Sequence, residues 1–566
     1  MKLHPRISAI LHICIPGVVI YCGVASADQP LAANAQRLIP AMESLGVPFP
    51  DDTLSSLQKA IDAEDSLGIH EVLRQFTLTS SRGPEYRRRQ QQVTVPGAAS
   101  HYISVQLERW FNAADYGFFC GDHHIHGAGC SHYTSPTQGV TAQDMFAQVK
   151  GEGLNVGCVL TWGPCFDHQR QYFSPVAADI SDHRTLLKYD LEISGFGSAA
   201  LGHVCLLNLQ NQTYPKSRGT SSQGWPTWTV SVLRWTKDQG GITGDPHSSL
   251  RVVPDSAADW LLETLDANLD ETLSNDECRE QLLPAAFSDI DSDDSGQLTH
   301  RELVRSATQA AEELPNTAIP SMDGGGAMEI FVSAAEGVCD FISAMDTPRI
   351  GKWNPWYHLM NCGFPLKLSG ETDFPCMSSR RVGQGRVYVH MGDPDRIRFA
   401  DWCRGIADGR SYVSDGFAHA VRFNVNDTPP GREPVRIAVG GSVSVCATVA
   451  FAPEVPKAVA YGTHSPDTGR TVVGDTRVLH AARNSDWVNG GDRIVEIVVN
   501  GKPVAEAVVS ADGRPHDLEF TVDVGVSSWI TLRQFPQLHT NPVTVLVGDR
   551  PVRASRNSAI WCARST

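Results

Sequence analysis

Two histidines separated by one residue, His124 and His126 in Gly121-Asp-His-His-Ile-His126, have the spacing of paired metal ligands. They follow an apolar run, Tyr116-Gly-Phe-Phe-Cys120, and read as the end of a β-strand. Alternate residues of a strand point to one side, so both imidazoles would project together toward zinc or a similar divalent ion. Asp122 is placed to orient one of the rings from behind. Further donors follow: Glu192 in Leu191-Glu-Ile-Ser194, His203 eleven residues later, His247 in Gly244-Asp-Pro-His247, and Asp373 in Gly370-Glu-Thr-Asp373. Singly, each suits a buried histidine or a capping aspartate. As an ordered series they suit a multinuclear metal centre, in which a carboxylate able to bridge two ions sits among imidazoles.

A second constellation is acidic. Asp291-Ser-Asp293-Asp-Ser295-Gly296-Gln297-Leu298-Thr299-His-Arg-Glu302 matches the twelve-residue EF-hand calcium loop. Asp291, Asp293, Ser295, Thr299 and Glu302 supply oxygens at the first, third, fifth, ninth and twelfth places, and Gln297 supplies its carbonyl at the seventh. Gly296 sits where the chain turns with positive φ. An earlier copy runs from Asp266 through Asn268, Asp270 and Thr272 to Glu277, with Glu271 in the glycine place. That exchange costs on the order of 1 kcal/mol in backbone conformation, leaving the loop either occupied or purely structural. Outside a cell, where calcium is abundant, the pair reads as a structural clip rather than a sensor.

These residues need a frame. Residues 28–75 carry helical periodicity, with Asp51, Asp52 and Thr53 as capping groups, and 76–110 turn β-like at Gln92–Val95 and Tyr102–Leu107. The Arg87–Arg89 run reads as a solvated loop rather than an anion patch. From 111 to 420 short apolar runs (Val156–Leu160, His203–Leu207, Ala327–Val332) alternate with helical segments (Thr141–Lys150, Thr227–Gln239), the pattern of a parallel sheet or barrel. Reactive residues of such barrels sit where strands end. The acidic pair, 255–310, interrupts this region, punctuated by Val253-Pro-Asp255 before it and Ile319-Pro320 after it. From 421 to 566 short β runs, with Asn500-Gly501 as a hairpin signal, read as an antiparallel sandwich.

Composition bounds the partners. The 566 residues carry a formal net charge of −16, which speaks against nucleic acid. Much of that charge is local: residues 255–302 hold fourteen Asp or Glu against Arg279 and Arg301. Lys2 and Arg6, the apolar stretch Ile7–Gly23 and Ala25-Ser-Ala27 form a signal peptide over 1–27, and an uncleaved anchor is the alternative. No later stretch is apolar enough to span a bilayer, so a secreted or periplasmic protein is expected. Of the fourteen cysteines, Cys14 and Cys22 fall in the leader, and no C-x-x-C spacing occurs.

Several stretches together resemble the CehA/McbA-type metallohydrolases of the polymerase-and-histidinol-phosphatase (PHP) superfamily. They are Gly121–Gly127, Leu160-Thr-Trp-Gly-Pro-Cys-Phe-Asp-His168, Trp356–Gly363, Ser369–Cys376 and Gly409–Gly416. The resemblance covers roughly residues 78–566. It implies a distorted (β/α)7 barrel; with the acidic pair inserted as a helical EF-hand module and the C-terminal antiparallel β-sandwich, the expected fold class is α/β. It also implies two or three divalent ions, of zinc, manganese or iron, that activate water against a phosphoester, carbamate or related bond of a small molecule. In this resemblance His124, His126, Glu192, His203, His247 and Asp373 match metal ligands. The family's Asp-His pair after the second barrel strand is replaced here by Trp162-Gly-Pro164, so Asp167 and His168 are the candidates for a further ligand or proton shuttle. The alternative is a calcium-stabilised binding protein on a degenerate barrel; a partner-docking protein ruled by its EF-hands is a third reading.

Overall fold

The computed structural model describes residues 14–15, 18–19, 31–44, 49–94, 103–127, 140–194, 202–217, 223–247, 250, 252–320, 329–345, 349–374, 382–456, 463–465, 470–471 and 487–565. The expected leader, 1–27, falls almost wholly outside the described residues, as does Cys376. The chain divides into two compact units, 1–110 with 150–153, and 111–149 with 154–566.

In the first unit three helices, Leu31–Ser44, Asp51–Asp62 and Ser66–Arg74, bury Ala35, Leu57, Ile61 and Ile69. The strand Arg89–Thr94, which takes in most of the β-like Gln92–Val95, pairs antiparallel with Gln75–Ser80. Residues 103–107 do alternate in exposure but form no ladder, because a period of two marks a strand-like face without naming a partner. Arg87 pairs with Glu108 at 3.2 Å on the surface.

The second unit is mixed α/β, built on a large mixed sheet. Seven strands position the candidate donors: β1 (Phe118–Ile125), β2 (Val156–Thr161), β3 (Leu186–Ser194), β4 (His203–Leu207), β5 (Ile242–Asp245), β6 (Phe341–Ser343) and β7 (Lys367–Ser369). β1–β2, β2–β3, β5–β6 and β6–β7 pair in parallel, whereas β4 is antiparallel to both β3 and β5. The reversal has a plain cause. The connection 195–202 is shorter than the dozen or more residues a parallel crossover needs. Past β7, Phe374 bridges in parallel to Ile125 of β1, which closes the ring.

Of the run Ala327–Val332, expected as a strand, the first two residues lie outside the described residues and Ile330–Val332 open a helix, Ile330–Ala335; the strand comes later as β6. A short apolar run does not distinguish the two by periodicity. Here Ser333-Ala-Ala335 favour the helix, and Gly337 at φ 67° turns the chain into β6.

Two outer strands, β8 (Arg386–His390) and β9 (Ser411–Ser414), extend the sheet: β8 pairs with β1 and β9, and β9 pairs with Leu538–Thr540. The C-terminal third therefore continues the central ladder. Its pairs are antiparallel, as expected, except Val435–Ile437 with Val543–Val547, which run parallel. A separate three-stranded antiparallel sheet joins Ala418–Val425, Gly441–Phe451 and His516–Val524. Asn500 and Gly501, at φ 52° and 92°, make the expected tight hairpin. No helix among the described residues is long and apolar enough to cross a membrane.

The helix Arg349–Asn361 is the spine of the core. It is almost wholly buried, and its polar groups find partners. His358 donates from Nε2 to the Asn316 carbonyl (2.7 Å) and accepts at Nδ1 from Ser558 (2.9 Å). Tyr357 donates to His539 Nε2 (2.8 Å), whose Nδ1 donates to the Thr540 carbonyl. Both rings are thus neutral in the fold, and burial pushes His358 down to about 4 and His539 to about 3. An unfolded histidine takes its proton near 6.5, so between there and pH 4 the unfolded chain binds more protons and stability falls as pH falls. We expect His358 alone to cost about 2 kcal/mol on going from pH 7.5 to 5. Melting curves at the two pH values should show this loss, and His358→Gln should flatten it.

Candidate metal centre

The reversal of β4 places its first residue, His203, opposite Ser194 at the end of β3, on the same rim as Glu192. The rim also receives His124 and His126 from the end of β1, His247 from just beyond β5 and Asp373 from just beyond β7. All six sequence-predicted ligands meet there. Their donor atoms form three overlapping groups, each within 4.8 Å: His124, His126 and Glu192; His124, His247 and Asp373; Glu192, His203 and His247.

Glu192 divides its two oxygens between opposite sides of the cluster. Oε2 lies 3.3 Å from both His124 Nε2 and His126 Nε2. Oε1 lies 2.9 Å from His203 Nδ1 and 3.2 Å from His247 Nε2. Asp373 does the same, with Oδ1 2.9 Å from His126 Nε2 and Oδ2 3.4 Å from His247 Nε2. The backs of the rings are fixed. His126 Nδ1 donates to the Leu160 carbonyl (2.8 Å) and His124 Nδ1 to Glu371 Oε2 (2.7 Å), so both Nε2 atoms turn into the cluster, 3.1 Å apart.

Glu371 is the residue that sequence reasoning missed. It is fully buried; Oε2 takes the His124 ring and lies 3.1 Å from His123 Nε2, and Oε1 accepts the backbone N–H of His247 (2.6 Å). One carboxylate thus holds His124 from β1 and the loop bearing His247 after β5. Its signal was present, two residues before Asp373 in Gly370-Glu-Thr-Asp373, but its partners lie more than a hundred residues away. Asp122, expected to orient a ring, instead straps backbone. It accepts from the N–H and hydroxyl of Thr372 and from Gly383 N (2.8 Å), which draws the Asp373 segment onto β1. Asp373 itself sits at φ 51°, a conformation an L residue adopts at a cost, fixed by its N–H bond to the His124 carbonyl (2.9 Å).

The electrostatics ask for a cation. Burial opposes charge on His126 and His247, yet Asp373 and Glu192 push each up to about 9. Against the same burial, His124 holds Glu192, and His247 holds Asp373, below the usual carboxylate range. These carboxylates stay ionised in a buried place, and ion binding would displace the imidazole protons that balance them. A further sign is Asp373 Oδ1, buried with imidazole nitrogens of His126 (2.9 Å) and His124 (3.6 Å) turned toward it. The donor set fits divalent metal.

Asp167 and His168 do not join the cluster. They lie on a short helix, Pro164–Gln169, that turns Cys165 and Phe166 into the protein; Asp167 is exposed and His168 half-buried. Thr161, at the end of β2, offers only a buried hydroxyl with no partner.

The acidic loops form a second, separate feature. Helices Pro254–Leu265 and His300–Ala310 flank two loops joined by an antiparallel pair, Thr272–Ser274 with Gln297–Thr299, over a small core that includes Leu273, Leu298 and Leu303. The loops share their main hydrogen bonds. Asp291 Oδ2 accepts from Gly296 N and Asp266 Oδ2 from Glu271 N, both at 2.9 Å. Glu302 accepts from the N–H groups of Ser292 and Thr299, as Glu277 does from those of Ala267 and Ser274. Against the burial that raises it, these bonds hold Glu302 down to about 2. Gly296 has φ 76° and Glu271 follows at φ 65°, so the glutamate accepts the glycine's conformation. Asp291, Asp293 and Glu302 bring oxygens within 4.8 Å of one another; among the described residues the first loop assembles no such group.

Compared with protein-family models, curated proteins and solved structures, the chain matches none. The chemistry therefore rests on the geometry of these side chains. Because Glu371 orients His124 and the His247 loop, Glu371→Gln should leave the fold intact and weaken metal retention about 10- to 100-fold, measured by competition with a chelator.

Proposed function

We propose that this protein is an exported, divalent-metal-dependent hydrolase of the CehA/McbA type, on a PHP barrel, with an EF-hand pair inserted in it. Its substrate is a small molecule with a phosphoester, carbamate or amide-like bond. The observation that carries this reading is the division of Glu192, one oxygen toward His124 and His126 and the other toward His203 and His247. A carboxylate so placed suits two neighbouring ions. Bound zinc, manganese or iron would supply Lewis acidity and an activated water there. His124, His126, His203, His247 and Asp373 complete the shells. His203 and His247 are the more exposed ligands, with side chains 36% and 20% exposed against 7% or less for the others, so substrate approaches from their side. Asp167 and His168 stand outside this set, and proton transfer falls to a residue of the cluster itself.

That same placement favours the second reading, a calcium-stabilised binding protein on a barrel that has lost a ligand. Metal content by mass spectrometry separates the two. Wild-type protein should carry two or three zinc, manganese or iron ions and hydrolyse a phosphoester or aryl carbamate, whereas His124→Ala/His126→Ala should lose both while keeping calcium. Calcium alone in the wild type, with no hydrolysis, would leave the binding protein.

For the acidic module we propose calcium as the ligand of the second loop, held by Asp291, Asp293, Ser295, the Gln297 carbonyl and Glu302. Asp266, Asn268, Asp270, Thr272 and Glu277 are the corresponding set in the first loop. Calcium should raise the melting temperature of the wild type by several degrees and leave Asp291→Ala/Glu302→Gln unmoved; an equal response in both would exclude a stabilising role.

A further inference from the structure

We propose that Cys362 and Cys562 form a disulfide that ties the C-terminal helix, Arg556–Arg564, to the buried helix Arg349–Asn361. Cys362 directly follows the second of these helices and Cys562 lies on the first. The helices are already held face to face. The His358 ring stacks on Trp561 with centroids 4.2 Å apart, and Ser558 bonds both His358 Nδ1 (2.9 Å) and Asn361 Nδ2 (3.2 Å). The chain leading into the C-terminal helix is pinned as well: Arg553 donates to the Cys362 carbonyl (2.7 Å) and Ala554 N–H to that of Asn361 (2.9 Å). On this backbone the two free thiols lie near enough to perturb each other, Cys562 lowering Cys362 and Cys362 raising Cys562. A disulfide needs Cβ atoms roughly 3.5–4.5 Å apart, a separation within the reach of side chains on two helices packed this closely.

The environment also assigns the order of events. Cys362 is half-buried and Cys562 buried. The bond from Cys562 and the nearby Arg553 guanidinium lower the Cys362 thiol, whereas Cys562 is raised. The Cys362 thiolate therefore attacks first. It displaces one thiol from an oxidised dithiol or oxidised glutathione and leaves a mixed disulfide. Cys562 then gives up its proton, attacks the Cys362 sulfur and releases the second thiol. Two protein thiols lose two protons and two electrons, and one reagent disulfide becomes two thiols. By contrast Cys158, Cys205 and Cys403 lie deep in the core, closed to an oxidant.

The bond would brace more than the C-terminus. The Arg349–Asn361 helix donates through Lys352 to the Pro246 carbonyl, next to His247. The test uses the full chain treated with oxidised glutathione or with dithiothreitol, then alkylated, digested and mapped by mass spectrometry. The oxidised protein should give one linked peptide joining Cys362 to Cys562 and melt about 5 °C higher than the reduced protein. Cys362→Ser should fold like the reduced wild type and show no redox-dependent shift, and Cys446→Ser, on another strand, should keep it. Full alkylation of Cys362 and Cys562 after oxidation, or their linkage to other cysteines, would overturn the proposal.

Discussion

The buried carboxylate of Glu371 joins parts of the chain that local structure leaves independent. Its Oε2 sets the tautomer of His124, and its Oε1 takes the backbone of His247. Each alone is an ordinary hydrogen bond to a charged group, stronger than a neutral one. Together they fix the distance between the end of β1 and the loop after β5, and so the opening that Glu192 and Asp373 span. A carboxylate this deep is costly unless every lone pair is met, which explains why His123 is also drawn toward it.

The rim follows from two departures from a regular barrel. Reversing β4 brings the beginning of a strand to the end where the others finish, so His203 reaches Glu192. Beyond β7 the chain leaves the ladder at Asp373, in a left-handed conformation, and Asp122 anchors the neighbouring Thr372. Only the second gives up regular pairing, at Asp373, and the surrounding bonds hold the strain there.

The acidic module connects to this frame through ordinary packing. After its last helix the chain reaches Asn316, whose carbonyl takes His358 and whose N–H donates to Asn354 (2.8 Å). The same buried helix reaches Pro246 through Lys352. Through this helix, hydrogen bonds from the segment after the acidic module and from the loop bearing His247 meet on one buried element.

The short motifs were legible because their information is local. The i, i+2 spacing of His124 and His126 needs only the geometry of a strand, the acidic loop only twelve residues in order, and Asn500-Gly501 only a turn with positive φ. The downstream ligands were legible as an ordered series. Partners over long separations were not. No spacing reveals that Glu371 meets His124, that Asp122 straps Thr372 rather than a ring, or that Asp167 faces out while Cys165 and Phe166 face in. The segment at Ile330–Val332 went the same way, since a short apolar run marks a buried element but leaves open whether it is helix or strand. Sequence by itself determined which residue types can bind cations and which local backbone carries them. Only the tertiary structure decided which of them share a site, because that depends on strand direction and closure, set by contacts between segments hundreds of residues apart.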